Sequence, residues 1–160
     1  MATVDYFLKI DGIPGESRDA KHKGEIDLMA FSWGATNQGG HGGGGGSGKV
    51  SMQDFQFTTR VNKASPLLFL SCATGKHLKQ AILTARKAGK GQQEFLVFKF
   101  TDVLISSYQV GGSEAEADAP TDQISFNFAQ VQYEYREQKA DGSAGTPIKT
   151  GWDVKKNKEL

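Results

Sequence analysis

Apolar and polar residues alternate through much of this chain, and the segment 124–135 shows the pattern most clearly. Its apolar side chains occupy even positions up to Phe128 and odd positions from Val131 onward. A period of two predicts a β-strand, and the change of phase at Ala129 and Gln130 predicts a β-bulge that bends the strand and increases its twist. A bent, twisted strand is typical of a barrel wall.

Other segments share this period, are rich in Val, Ile, Phe and Tyr, and are bounded by Gly, Pro or Asp clusters. They are 6–10, 25–34, 50–60, 80–87, 94–110, 122–137 and, more weakly, 148–154. In 25–34 we expect Asp27, Met29, Phe31 and Trp33 on one face and Ile26, Leu28, Ala30 and Ser32 on the other. Strands that are apolar on both faces predict a small β-barrel of two packed antiparallel sheets.

One short α-helix is indicated between these strands. Ser65 can cap it through its hydroxyl, Pro66 suits the first helical position, and Gly75 suits the left-handed residue after the end. We expect Leu67, Leu70 and either Cys72 or Ala73 to pack against a sheet or the mouth of the barrel. The chain is therefore predicted to be mainly β with one flanking helix, in a single domain over 1–160.

Two polar segments are predicted to be flexible loops. The segment 37–48 holds eight glycines among twelve residues, and 111–120 carries Glu114, Glu116 and Asp118 without a basic residue. The tail 149–160 contains four lysines. Charge is thus unevenly distributed along the chain although the total is small.

The overall charge and hydropathy exclude several functions. Nineteen Lys and Arg against eighteen Asp and Glu give a net charge of +1, whereas nucleic-acid-binding domains are usually strongly basic. No apolar run is long enough to span a membrane. The N-terminus lacks the basic and apolar regions of a signal peptide, so we expect synthesis in the cytoplasm without a cleaved leader.

A phosphate-binding loop is suggested only superficially. The residues from Gly43 to Lys49 read G-x-x-x-x-G-K. However, Val50 stands where Ser or Thr would bind magnesium, and a strand pattern follows where a helix is required. We therefore predict no nucleotide or other cofactor.

Metal and catalytic chemistry are equally weakly supported. His22, His41 and His77 are far apart in sequence, outside any paired-ligand spacing. Cys72 is the only cysteine, and a free cysteine in an apolar helix usually serves as a small hydrophobic residue. We predict no metal and no catalytic residues, which favours a binding or structural protein.

Segments along nearly the whole chain resemble the Hcp family, the haemolysin-coregulated proteins of bacterial type VI secretion. The resemblance rests on the order and spacing of many short matches rather than on any one motif. These are FLKI at 7–10, GES at 15–17, EID at 25–27, FSWG at 31–34, GKV at 48–50, FQFT at 55–58, SP at 65–66, SCATGKH at 71–77, LTARKAG at 83–89, DVLISS at 102–107, GGS at 111–113, FNFAQVQ at 126–132 and GW at 151–152.

The resemblance implies a homo-hexameric ring that stacks with other rings into the inner tube of a contractile secretion machine. It implies a VgrG-type spike and a contractile sheath as partners, export when the sheath contracts, and a lumen that holds small effector proteins. It implies no catalytic residues. The alternative, from fold class alone, is a monomeric β-barrel that binds a small ligand in its interior.

Two sets of residues are candidates for these roles. Ser32 alternates with the apolar Phe31 and Trp33, so we predict that it faces the lumen. Ring stacking requires exposed groups that can pair with the next ring, and we expect them in the two loops and the basic tail. The stacking candidates are Gly42, Gly43, Gly44, Gly45, Gly46, Glu114, Glu116, Asp118, Lys155 and Lys156.

Overall fold

The alternating segments form the strands of a curved antiparallel sheet. The computed structural model describes residues 4–39, 49–88, 91–115 and 119–160. In these ranges the elements are β1 (Val4–Ile10), β2 (Ile26–Leu28), β3 (Ala30–Ser32), β4 (Ala35–Asn37), β5 (Val50–Met52), β6 (Phe55–Arg60), α1 (Ser65–Thr74), β7 (His77–Lys87), β8 (Glu94–Gly111), β9 (Thr121–Tyr135), β10 (Ile148–Asp153) and β11 (Lys158–Glu159). The sequence pattern missed only the short strands β4 and β11.

The long strand β9 organises the larger sheet. One edge of β9 pairs with β8, while the other pairs first with β6 and then with β10. From β8 the sheet continues through β7 and β1 to β2, and β6 also pairs with β3. A second, two-stranded sheet consists of β4 and β5. The prediction of a mainly β fold with two sheets and one helix is confirmed.

The two ends of the larger sheet meet in one short segment. β2 pairs with β1, β3 pairs with β6, and Met29 between them donates its backbone N–H to the Thr58 carbonyl at 2.8 Å. The sheet therefore curls into a barrel-like shape without a continuous closing pair of strands.

The break at Met29 also changes which side chains of 25–34 share a face of the strand. Ile26 is fully buried, and Phe31 and Trp33 pack against the same core. Because Met29 interrupts the strand and is itself exposed, the alternation changes phase there. The prediction that both faces are apolar was wrong: apolar residues from both halves face one core.

The predicted change of phase in β9 is confirmed, but its geometry differs from a simple bulge. Thr101 pairs with Gln130 and Val103 with Phe128, so the register is the same on both sides. Between them Asp102 on β8 has a left-handed φ of 56°, and both strands change face together. The register shift lies further along, between Ile105 and Ser107 of β8.

Aromatic side chains fill the interior of the barrel. Phe55, Phe100 and Phe126 are fully buried and in mutual contact, with ring centroids 4.8–5.2 Å apart. Burial of one such side chain contributes about 1.5–3 kcal/mol. The core is therefore close-packed around these rings.

The helix has the predicted limits but a different attachment. Pro66 lies in the first turn, and Gly75 ends the helix with a φ of 66°. Ser65 does not cap the helix, because its hydroxyl instead donates to the carboxylate of Asp122. The predicted burial of Leu67 and Leu70 was also wrong: both are exposed, and Leu68 is the buried leucine.

The two predicted loops, 37–48 and 111–120, are slightly shorter in the structure. Asn37 belongs to β4 and Gly111 to β8, so the two connecting segments are shorter than predicted. Most of the glycine-rich tract, 40–48, and the positions 116–118 with Glu116 and Asp118 lie outside the described residues. Within the described ranges, no helix has the length and apolar character needed to cross a membrane.

Candidate functional site

The outward face of the sheet formed by β3, β6, the first half of β9 and the end of β8 carries two rows of uncharged, mostly polar residues, and the charged Arg60 of β6 lies beyond the second row. Opposite residues on these strands form two rows across the sheet, because antiparallel pairing places side chains of one face side by side. The first row is Ser32, Gln56, Ser125 and Ser107, and the second is Ala30, Thr58, Gln123 and Gln109. The rows line a shallow depression of about 480 Å³, which we call the neutral face.

Ser32 lies on the neutral face, as the alternation predicted. Its side chain is exposed, while the neighbouring Phe31 turns to the core and contacts Tyr6 and Phe55. Across the sheet, the Ser125 hydroxyl lies 2.6 Å from that of Ser107. Hydroxyl and amide groups both donate and accept hydrogen bonds, so this face can contact varied polar surfaces without selecting for charge.

This four-stranded part of the sheet has two unpaired edges. β3 pairs only with β6 among the described strands, and the 105–111 half of β8 pairs only with β9 because β7 reaches no further than Leu104. Unpaired strand edges expose backbone N–H and C=O groups that can pair with another chain. The two edges differ in sequence and lie at opposite sides of the neutral face.

A buried hydrogen-bonded group fixes α1 against this sheet. The Asp122 carboxylate is fully buried and accepts hydrogen bonds from the hydroxyls of Ser65 and, at 2.7 Å, Tyr108. Burial and the bond to Asp122 raise the pKa of Tyr108 to about 12. Sequence reasoning missed Asp122, since only tertiary structure brings it to the helix.

A second set of charges holds the segment 11–25 against the outer side of β1 and β7. The buried guanidinium of Arg86 donates to both carboxylate oxygens of Asp19 at 2.7 and 2.8 Å. This hydrogen bonding lowers the pKa of Asp19 to about 2. The His22 ring stacks on Phe7 at 4.4 Å, and its nitrogens contact the carboxylates of Glu25 and Glu94, all of which sequence reasoning missed.

The two histidines that the structure describes, His22 and His77, have separate partners. His77 Nδ1 lies 2.8 Å from the Asp102 carboxylate, whereas the His22 ring contacts Glu25 and Glu94. His41 lies outside the described residues. In the part of the chain that the structure describes, no group of three His, Cys, Asp or Glu side chains is arranged to hold a metal ion.

The stacking candidates are only partly described. Glu114 is exposed beyond the end of β8. Lys155 and Lys156 are exposed after β10, where Lys155 Nζ lies 3.3 Å from Asp102 near the middle of β8. Among the described candidates, Glu114 therefore lies beyond one end of β8, whereas Lys155 lies beside its middle. Gly42, Gly43, Gly44, Gly45, Gly46, Glu116 and Asp118 lie outside the described residues.

The site of the superficial phosphate-loop match is also partly visible. Val50 begins β5, so a strand follows Lys49, as predicted. A phosphate-binding loop would need a helix there, whose first N–H groups bind the anion. In the described residues, Lys49 is thus followed by a strand and not by such a helix.

Comparison with known proteins accounts for this architecture. A family model described as "Type VI secretion system effector, Hcp" matches residues 7–135. Protein hcp1 of Pseudomonas aeruginosa is 48% identical over 158 residues, which cover 96% of this chain and 97% of that protein.

Solved structures agree with this assignment. Hcp1 from Salmonella typhimurium has a TM-score of 0.85 and 38% identity, and the match covers 99% of this chain and 100% of that one. A structure described as a type six secretion system protein has a TM-score of 0.91 and 33% identity, covering 98% and 99%. The chain therefore belongs to the Hcp family of type VI secretion system proteins.

Proposed function

We propose that this protein is the structural subunit of the inner tube of a type VI secretion system. Six copies form a ring, rings stack into a tube, and the tube is exported when the surrounding sheath contracts. The observation that carries this proposal is the four-stranded sheet with two different unpaired edges on either side of the neutral face.

Two different edges suit a closed ring. A contact between β3 of one subunit and the 105–111 half of β8 of the next would use a different surface on each partner. Such a heterologous contact repeats around a rotation axis and closes when the rotation divides a full turn. It would also satisfy edge groups that otherwise invite uncontrolled pairing.

The neutral face is our candidate for the lumen wall. Its row of Ser32, Gln56, Ser125 and Ser107 would continue from subunit to subunit around the ring. The two rows of the neutral face carry no charge, so they can contact small effector proteins of either charge without repelling them or trapping them by ion pairing. We assign Ser32 to cargo contact on this basis.

Ring stacking is assigned to the exposed loop and tail charges. Glu114, Glu116 and Asp118 of one ring would approach Lys155 and Lys156 of the next, beside the tract from Gly42 to Gly46. Each exposed pair contributes only about 0–1 kcal/mol and is screened by salt. Six copies acting together would multiply the effect, so that rings are soluble alone and stack when templated.

The partners follow from the same proposal. A stacked tube requires a spike at its tip, for which a VgrG-type protein is the candidate, and a contractile sheath around it. The interior of the barrel is filled by the rings of Phe55, Phe100 and Phe126, which weakens the alternative of a monomer with a ligand inside. We assign no catalytic step to the chain.

Electron microscopy of the purified protein tests the ring directly. We expect top views with six-fold symmetry and a central opening. A field of particles of single-subunit size at micromolar concentration would contradict the proposal.

A further inference from the structure

The exposed side of α1 carries an apolar surface beside the free edge of β8. Leu67, Phe69, Leu70 and Val110 form this surface, which we call the helix patch, and Phe69 and Val110 are 56% and 59% exposed. Phe69 packs at 5.9 Å against Tyr108, which lies on the unpaired half of β8. The buried contact between Ser65 and Asp122 holds the helix in this orientation.

A second apolar surface lies beside the other free edge. It is a groove of about 480 Å³ between the β4–β5 ribbon and the β9–β10 pair, which we call the apolar groove. None of its lining residues is charged, and these include Trp33, Met52, Tyr133, Thr150 and Trp152. Trp33 directly follows β3, so the groove begins where that unpaired edge ends.

The groove also contains an unsatisfied polar group. The indole Nε1 of Trp152 is buried and has no hydrogen-bond acceptor among the described residues. A buried donor without an acceptor is costly and rare in native structures.

We propose that the helix patch of one subunit fills the apolar groove of the next subunit in the ring. This inference rests on the proposed ring, and it names the side-chain contact that accompanies the meeting of the two strand edges. The two surfaces flank opposite edges of the same four-stranded sheet. Joining those edges therefore carries the helix patch of one copy toward the groove of the other.

Area and charge both favour a second copy as the occupant. A stable contact buries about 800 Å² on each partner. A large aromatic side chain buries 150–250 Å², so the roughly half-exposed Phe69 supplies roughly 100 Å², to which the three aliphatic side chains add. The strand edge would supply the remainder. No charged side chain lines the groove, so an apolar occupant leaves no ion of the groove unpaired.

A complementary pair of charged variants tests this contact. In Phe69→Asp, the patch would carry a short acidic group that cannot extend out of an apolar groove. We expect subunit contacts at least about 30-fold weaker, as for loss of a central contact residue, and therefore loss of rings. Thr150 is an exposed residue on the groove wall, and Thr150→Lys would place a cation near that acid.

Co-expression of the two variants should restore rings. A tag on the Phe69→Asp chain would retrieve alternating rings with three copies of each chain, because every altered patch then meets an altered groove. Co-expression with the unaltered chain should not retrieve rings. Val61→Asp is the matched control, since Val61 is exposed but lies on neither surface. Circular dichroism and thermal unfolding verify that each variant folds.

The outcomes separate this contact from the ring itself. Rings of folded Phe69→Asp at parental yield would overturn the contact while the proposed ring stands. Failure of the co-expressed folded variants to form rings would overturn the pairing of these two surfaces. A monomeric parent protein would overturn the proposed function and the contact together.

Discussion

Arg86 is buried on the outer side of the barrel and is neutralised by Asp19, with Asp5 a further 3.4 Å contact. The guanidinium also lies 4.9 Å from the centre of the Phe7 ring. A buried cation is tolerated only when its charge is paired and hydrogen-bonded. This charge pair therefore helps to hold the segment 11–25 in place, beside the contacts of His22 with Phe7 and Glu94.

This pair makes a pH-dependent contribution to stability. The pKa of Asp19 falls from 3.8 to about 2 on folding, so the unfolded chain binds the proton more readily. The contribution is complete above about pH 4 and is lost as the pH falls toward about 2. Asp19→Asn should lower the free energy of unfolding by about 2 kcal/mol at neutral pH.

Urea unfolding of the parent and the Asp19→Asn variant at a series of pH values measures this effect. The difference between them should be constant at neutral pH and shrink between about pH 4 and pH 2. A difference that persists unchanged at the lowest pH would show that Asp19 acts through packing rather than charge.

A single substitution at Ser32 tests the proposed lumen wall. Its exposed side chain on the neutral face leaves room for a longer amide, so Ser32→Gln should leave rings intact and impair retention of a co-expressed small effector. Co-purification of the effector with tagged rings measures this retention. Collapse of the rings in the variant would place Ser32 in a packed interface instead.

At the scale of the element, Gly75 shows how local sequence sets the end of α1. Its φ of 66° is in the left-handed region, where a side chain is strained even though a Cβ would meet nothing within 4 Å. Gly75→Ala should therefore cost about 1 kcal/mol of unfolding free energy. Gly111→Ala is the control, since its Cβ also meets nothing and its φ is not left-handed. Equal thermal unfolding midpoints for the two variants would contradict this account.

Both ends of the helix were predictable because Pro66 and Gly75 act through their own backbone geometry. The role of Ser65 could not be predicted, because its hydroxyl donates to Asp122, 57 positions away, instead of capping the helix. Likewise, alternation predicted the exposure of Ser32, whereas the break at Met29 depends on its bond to Thr58 across the sheet. The free edges and the apolar groove arise from strand pairing, which no local pattern encodes.

At the scale of the molecule, the glycine-rich tract joins two strands that are already paired. Asn37 of β4 lies opposite Val50 of β5, and twelve residues link them. Deletion of five of these, Gly42 to Gly46, leaves seven, and hairpin loops of two to five residues are common. The deletion should therefore preserve rings and abolish tube formation and secretion.

Electron microscopy of rings and tubes, with an assay of secretion in cells, measures the two effects separately. Loss of rings would mean that the tract supports the subunit contact. If the deletion variant forms as many tubes as the parent, the glycine-rich tract is only a linker and the stacking surface lies elsewhere.

The central claim is that six copies of this chain close into a ring. Native mass spectrometry at micromolar concentration counts the copies directly. The account predicts a dominant species of six times the 17.3 kDa subunit mass. A dominant monomer would contradict it.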